Sequence, residues 1–424
     1  WVQDKAGTQT KFVYDAAGNR REVINDLNGA HQNSVTYSYD RLGRQLTQDD
    51  PDHGLYTRTY DALGQLKTDQ SPKLLATLQL VEFDYDLLGR VQTRTEPEGP
   101  TTWTYDDTTN GNLGVGKIHS ESQFGYSKTY HYGPSDNGRL TGTTTVIGGA
   151  TYDSSVTYHA QGKVNTQTYP SGYAVKSVYN ALGYLERLQE VAGAKVLYQL
   201  IETDAMGRRK QEWLGDGSIE TLSYEGQSSR ILDQHTVNAG GDVQHFSYTY
   251  DDFGSMETRS DQLNGLSETF AYDDMDRLRS ATVTGSPIVN YDFNAIGNMT
   301  KKSDLGDPML YSSPAVHAVT SIDNGVSIDT LSYDINGNLD NGSDVPAITW
   351  SSYNKPTHLA KVGVSYSFEY GPDRSRYKKV KGSSTTHYVD GAYEKRMAGY
   401  VWGDRHVIRA NGRTVALRST FLGS

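Results

Sequence analysis

Over most of its length this chain alternates aromatic or β-branched residues with small hydroxyl residues, and an acidic residue followed by a glycine interrupts the alternation again and again. The stretch from Val35 to Leu46 shows the plan. Val35, Tyr37 and Tyr39 alternate with Thr36 and Ser38, the period of two that places one set on one face of a strand and the other set on the opposite face. Asp40 then supplies a short carboxylate able to accept a backbone N–H two residues on. Gly43 can take the positive φ that closes a loop of three to five residues with a bulge. Leu46 and its successors read as the returning strand, so the pattern predicts a β-hairpin whose loop fixes its register.

Close copies recur at Tyr14-Asp15-Ala16-Ala17-Gly18-Asn19, Tyr39-Asp40-Arg41-Leu42-Gly43-Arg44, Tyr60-Asp61-Ala62-Leu63-Gly64-Gln65, Tyr85-Asp86-Leu87-Leu88-Gly89-Arg90, Tyr250-Asp251-Asp252-Phe253-Gly254 and Tyr333-Asp334-Ile335-Asn336-Gly337-Asn338. Looser copies begin at Tyr179, Asp204, Tyr272 and Asn294. In these turns Tyr, Asp and Gly are read as structural. The residue before the glycine or its equivalent is apolar in most copies, as in Leu42, Leu63, Leu88, Leu182, Met206, Phe253, Met275 and Ile296, and is expected to fold back onto the neighbouring hairpin. A spacing of roughly 20 to 27 residues marks a repeat array in which each unit buries its face against the next.

The motif is most regular before residue 100, loosens between about 101 and 235, and recovers from 236 to 300, where Phe246, Tyr248 and Tyr250 alternate with Ser247 and Thr249. The interval from about 300 to 330, with Pro308 and Pro314, lacks a clear copy and reads as an insertion loop or a degenerate hairpin. No window of ten or more residues keeps helical spacing. The fold class is therefore all-β: a spiral of antiparallel β-hairpins forming a segment of a hollow shell or tube, with residues 1–424 as one array. Some seventeen hairpins supply about 34 strands and a ribbon on the order of 160 Å long. Open sheets rarely exceed ~10 strands, so the ribbon is expected to curl until turns of one lap lie against strands of the next. One lap then has a diameter near ~50 Å and leaves the cavity open, to be sealed by more repeats or a partner chain.

Composition supports a thin wall over a deep core. Only 35% of the 424 residues are hydrophobic, and 31 tyrosines stand against 9 phenylalanines; tyrosine gives apolar area while its hydroxyl seeks water or an acceptor, which suits a sheet hydrated on both faces. A formal net charge of −11 excludes a nucleic-acid partner, which requires clustered cations. The basic run from Arg374 to Lys381 alternates as a strand does and reads as a solvated strand face. There is no cysteine and no apolar run long enough to span a membrane. Trp1 begins mid-pattern with no signal peptide, as expected of a fragment or processed piece.

Candidate chemistry dissolves on inspection. Gly111-Asn112-Leu113-Gly114-Val115-Gly116-Lys117 has the spacing of a phosphate-binding loop, but Ile118 follows where a hydroxyl must bind magnesium, and no helix is predicted after it. Asp334-Ile335-Asn336-Gly337-Asn338 starts like a calcium loop, yet Leu339 and Val345 stand where a glycine and a bidentate glutamate are needed. The acidic clusters Asp49-Asp50-Pro51-Asp52 and Asp273-Asp274-Met275-Asp276 lie at turn positions, where aspartate serves the backbone in place of acid–base catalysis. The eleven histidines form no metal-ligand spacing, and no Gly-x-Ser-x-Gly elbow is present. Exposed tyrosines could stack on sugars, but their recurrence in step with the turns favours cross-strand packing of Tyr on Tyr. No catalytic, cofactor or metal residue is assigned.

The repeated Tyr-Asp-x-x-Gly-Arg motif resembles the YD repeats of the RHS family, and the resemblance covers almost the whole chain. Gly371-Pro372-Asp373-Arg374-Ser375-Arg376 and Tyr388-Val389-Asp390-Gly391-Ala392-Tyr393-Glu394 resemble the late core of bacterial RHS proteins, so residues from about 365 to 424 form a late-core end. The resemblance implies a hairpin spiral that encloses a C-terminal toxin domain, as in polymorphic toxins and the BC part of Tc toxins; animal teneurins carry a similar barrel used in adhesion. It further implies a secreted or cell-surface location, with an enclosed toxin domain or a partner shell chain as partner. A cell-surface glycan or receptor is the alternative partner, for an adhesion module on the same spiral. Bacterial shells end in an Asp-Pro-x-x-Gly type motif that cuts the toxin free. Asp50-Pro51 and Asp307-Pro308 lack that context and Ser424 comes before any such motif, so self-cleavage is not assigned.

Overall fold

The computed structural model describes residues 1–311, 315–342, 347–361, 363–398 and 401–422. Pro314, Val345 and Ser424, named above, lie outside them. The described residues form thirty-nine strands, one α-helix of five residues, Pro72–Ala76, and two short 3-10 turns. Every recorded strand pairing is antiparallel, and each joins strands adjacent in sequence. The all-β spiral of hairpins is thus the observed local architecture.

The strands form where alternation predicts them. In Asn33–Tyr39, Tyr37 and Tyr39 are half-buried while Thr36 and Ser38 are exposed. The hydroxyl face pairs across strands: Ser38 Oγ lies 2.6 Å from Thr47 Oγ1, Thr59 Oγ1 2.6 Å from Thr68 Oγ1, and Thr249 Oγ1 2.8 Å from Thr258 Oγ1. Such cross-strand pairs hold register on a face with no apolar area to bury. The expected bulge is present as well. Ser38 sits opposite Thr47 and Tyr39 opposite Gln45, so Leu46 is the extra residue.

The chain divides into two compact units, residues 1–100 with 268–367, and residues 101–267 with 368–424. In the first, successive hairpins run from Gln9–Tyr14 to Val91–Glu96. Strands Leu278–Val283, Val289–Phe293 and Met299–Lys302 continue the same pattern after residue 268. The poorly patterned interval near 300–330 is a degenerate hairpin: Met309–Tyr311 pairs with Val319–Asp323 with a register shift after Leu310.

The first unit's two segments meet through its helix and turns. Ser71 caps the helix, and Leu74 is buried. The Lys73 N–H donates to Asn336 Oδ1 at 2.9 Å, while Lys73 Nζ reaches the Trp350 carbonyl at 3.2 Å. The His317 N–H donates to Asp52 Oδ1 at 2.7 Å, and Glu98 accepts the N–H and hydroxyl of Ser352 at 2.6 and 2.7 Å. Turns of one segment therefore lie against the other, as a coiled ribbon requires.

The second unit carries the apolar core. Ile147, Tyr152, Tyr169, Val175, Leu188, Leu197 and Tyr198 pack against Tyr377, Val389, Tyr393, Ile408 and Ala410 from the late strands. Full burial of one such side chain is worth about 1.5–3 kcal/mol. The late segment is thus a second layer on the earlier sheet.

Candidate functional site

The repeated turn is the one constellation the sequence offers. At Asp40 the Gly43 N–H donates to the Asp40 carbonyl at 3.1 Å and the Asp40 N–H to the Arg44 carbonyl at 2.9 Å. Gly43 takes φ +79°. The Asp40 carboxylate holds the loop from inside: Oδ1 accepts the N–H groups of Leu42 at 2.8 Å and Arg44 at 2.9 Å, and Oδ2 accepts Arg44 Nε at 2.6 Å. The Arg44 backbone N–H foremost, and then its guanidinium, outweigh burial and hold the Asp40 carboxyl below the usual carboxylate range.

The other turns repeat this geometry. Asp86 binds Leu88 N, Arg90 N and Arg90 Nε at 2.9, 2.9 and 2.6 Å, and Asp204 with Arg208 and Asp273 with Arg277 do the same. Asp61 accepts Leu63 N and Gln65 N; Asp251 accepts Phe253 N and Ser255 N. Asp15 and Asp334 use Asn19 and Asn338 in place of the arginine. Gly18, Gly64, Gly89, Gly254 and Gly337 all take positive φ.

Neighbouring repeats are tied by the same arginine and by the tyrosine. Arg44 leaves its own turn to reach the Asp61 carbonyl at 3.4 Å and lies over the Tyr60 ring at 4.8 Å. Tyr60 Oη donates back to the Gln45 carbonyl at 2.8 Å. The chain of contacts thus runs Asp40, Arg44, Tyr60, Gln45. Tyr39, Tyr85, Tyr250 and Tyr333 make the equivalent donation to Arg20, Leu66, Ile231 and Val319. Arg208 over Tyr224, Arg230 over Tyr250 and Arg277 over Phe293 repeat the stacking. Each link combines a cation–π contact of about 0.5–1 kcal/mol with a hydrogen bond of similar worth. Tyr14 heads the first copy and its ring is largely exposed.

Two expectations are corrected here. Most of the apolar tip residues do not fold back: Leu63 is 85% and Phe253 84% exposed, and Leu42, Leu88, Leu182 and Met206 are also exposed, while Met275 and Ile296 are half-buried. The turn points its second and third residues away from the sheet, and arginine makes the contact assigned to leucine. Nor do the repeat tyrosines pack mainly on one another: where a cation follows the glycine, as Arg44 and Arg208 do, it lies over the next ring. Ring pairs such as Tyr126 with Tyr377 at 5.0 Å and Tyr152 with Tyr393 at 6.0 Å occur in the second unit's core.

The motif look-alikes are turns. Lys117 donates to the Leu113 carbonyl at 2.9 Å and to that of Gly138, and lies 4.7 Å from the Tyr132 ring, so its ammonium is engaged. Asp50 accepts the Asp52 N–H at 2.9 Å, and Asp52 accepts that of His317. No group of three His, Cys, Asp or Glu among the described residues could hold a metal ion.

Sequence reasoning missed the buried polar layer under the late strands. His406 is fully buried; Ser171 Oγ lies 2.7 Å from its Nε2, its Nδ1 is 3.2 Å from the Arg418 carbonyl, and the Tyr173 ring is 4.8 Å away. His387 Nδ1 is 2.8 Å from Tyr152 Oη. Burial foremost pushes both imidazoles below the usual histidine range. Asp390 binds Lys128 at 2.5 Å and the Thr143 hydroxyl at 3.1 Å, and Glu212, fully buried, meets Arg209 at 3.0 Å as well as Arg413. The available signal was the clustering of His, Asp and Arg in strands after residue 375, which only the tertiary fold sets against residues 121–212.

No family model matches the chain, and no curated protein matches it. Solved structures do. The TcdB2-TccC3-Cdc42 crystal structure superposes with a TM-score of 0.81 at 15% identity, over 98% of this chain and 24% of that one. TcdB2-TccC3 without its hypervariable C-terminal region gives 0.79 at 15% identity with the same coverage. The Tc holotoxin pore of Photorhabdus luminescens gives 0.64 at 15%, over 98% of this chain and 25% of that one. The chain spans about a quarter of the length of these Tc toxin chains and shares their fold, the fold that the resemblance to RHS proteins implied.

Proposed function

We propose that this chain is a noncatalytic wall segment of a secreted bacterial RHS-type toxin, and that the wall encloses a C-terminal effector until delivery. The observation that carries the reading is the superposition of 98% of the chain on TcdB2-TccC3 structures, together with the use of the motif residues as fasteners. An aspartate already bound by two N–H groups and a guanidinium stays ionised and has little lone-pair capacity left, so it is a poor general acid. The array 1–424 acts as one shell segment, and its partners are the enclosed effector and further shell chain. The test is the full-length gene product: enclosure requires a following domain that resists protease while the wall is intact and becomes cleavable and toxic when the wall is unfolded. A following domain equally cleavable in both states would overturn it.

A further inference from the structure

The basic run from Arg374 to Lys381 does more than face solvent, because strand alternation sends its residues to two sides. On one side Lys378 Nζ binds Glu369 at 2.7 Å, beside His387 in the register. On the other, Lys379 stands opposite Thr386, Thr386 opposite Arg396, and Arg396 opposite Gly403. The next row on that face runs Tyr388, Glu394, Arg405 and Ser419. Both rows line one cleft of about 200 Å³.

Charge and hydroxyls define what fits there. Both lining carboxylates are matched, Glu394 by Arg405 at 3.5 Å and Asp404 by Lys395 at 2.8 Å. Lys379 and Arg396 have no ion-pair partner among the described residues, and they flank Thr386, which is buried beneath them and whose hydroxyl has no hydrogen-bond partner among the described residues. Two strand spacings, roughly 10 Å between backbones, separate an ammonium from a guanidinium fork, and both side chains are long enough to converge over that hydroxyl. Gly403 adds no side chain at the end of the row. None of the lining side chains is aliphatic, so a peptide's apolar side chains would find no cover, whereas protein interfaces place aromatic and aliphatic anchors at their centre.

We propose that this cleft binds an anionic saccharide, with a sulfate or uronate oxyanion seated between Lys379 and Arg396 above the Thr386 hydroxyl, and sugar hydroxyls meeting Ser384, Tyr388 and Ser419. Charge-assisted bonds to both cations fix the oxyanion. The site stands on this face alone and does not require that the chain enclose anything.

The test is calorimetric titration of the whole chain with a sulfated heparin oligosaccharide, oligogalacturonate, neutral dextran and poly-glutamate. Saturable binding of the sulfated or the uronate sugar is expected, and which of the two binds identifies the oxyanion. Lys379→Gln and Arg396→Gln should each weaken it roughly tenfold with unchanged unfolding temperature, since both side chains reach solvent. Lys210→Gln, whose lysine pairs with Glu202 away from the cleft, should leave binding unchanged. No binding by either anionic sugar, equal binding of dextran, retention of affinity in both cleft variants, or tighter binding of poly-glutamate would each overturn the assignment.

Discussion

Gly18 and Gly337 occupy the same place in two copies of the turn, both in the first unit, with φ +87° and +80°. They differ in what surrounds them. A Cβ on Gly18 would meet nothing within 4 Å, whereas one on Gly337 would lie 2.5 Å from the Asp52 carbonyl oxygen. Gly18→Ala therefore measures the cost of the left-handed backbone alone, about 1–2 kcal/mol. Gly337→Ala must also displace a backbone oxygen by several tenths of an ångström. That peptide is anchored, because its His53 N–H donates to Asp50 Oδ1 at 3.3 Å, the preceding Asp52 N–H donates to the same oxygen at 2.9 Å, and the Asp52 carboxylate accepts the His317 N–H at 2.7 Å. Overpacking against a held backbone adds about 1–3 kcal/mol.

For a unit of roughly 200 residues, each kcal/mol moves the midpoint by about 2–4 °C. Gly18→Ala should lower Tm by roughly 2–8 °C, and Gly337→Ala by about 2–12 °C more. Thermal and urea unfolding of both variants, followed by tyrosine near-ultraviolet dichroism, gives the comparison. Equal losses, or a smaller loss at Gly337, would refute the claim that the repeat turn at Gly337 seats against the Asp52 turn of the other segment.

Further predictions follow the same contacts. Tyr60→Phe keeps the ring under Arg44 but strands the Gln45 carbonyl, and should cost about 0.5–1.5 kcal/mol in urea unfolding. Ile147→Ala empties a fully buried site in the second unit's core and should cost about 2–5 kcal/mol, several times the loss at the exposed tip variant Leu63→Ala. Acid should remove stability in two steps. His387 and His406 lie below the ordinary 6.5, so the unfolded chain takes the proton first; their contribution is whole above about pH 6.5 and declines below it. Asp15 and Asp40 lie below the ordinary 3.8, so theirs persists to about pH 3.8 and is lost beneath it. His406→Gln combined with His387→Gln should flatten the upper step in a stability-against-pH series and leave the lower one.

The hairpin was legible because its determinants are local. Alternation in Val35–Tyr39, the Asp40 carboxylate and Gly43 all act within ten residues, so the turn, its bulge and its hydroxyl face could be read directly. Arg44 was visible as part of the motif, but its role depends on Tyr60, and nothing in a single copy says that the cation serves the next one. The exposure of Leu42 and Leu63 was misread for the same reason: an apolar residue at a loop tip suggests burial only if a neighbour comes within reach. The packing of Ile147 and Tyr198 under Ile408 joins residues more than 200 positions apart, with no periodic signal to connect them.

These observations explain how a chain with 35% hydrophobic residues holds so many strands. An array stabilised by nearest-neighbour terms needs each interface to be favourable, not a central core. Each Asp–Arg–Tyr–carbonyl link supplies such a term from polar groups that satisfy one another at the sheet margin. The same links engage every group of the motif: the carboxylates accept backbone and side-chain N–H groups, the guanidiniums meet turn and ring, and the phenol hydroxyls donate to carbonyls. In the late strands, which follow a different pattern, Lys379 and Arg396 stand without an ion-pair partner among the described residues. The repeat therefore commits its turn aspartates, arginines and tyrosines to cohesion between neighbouring hairpins.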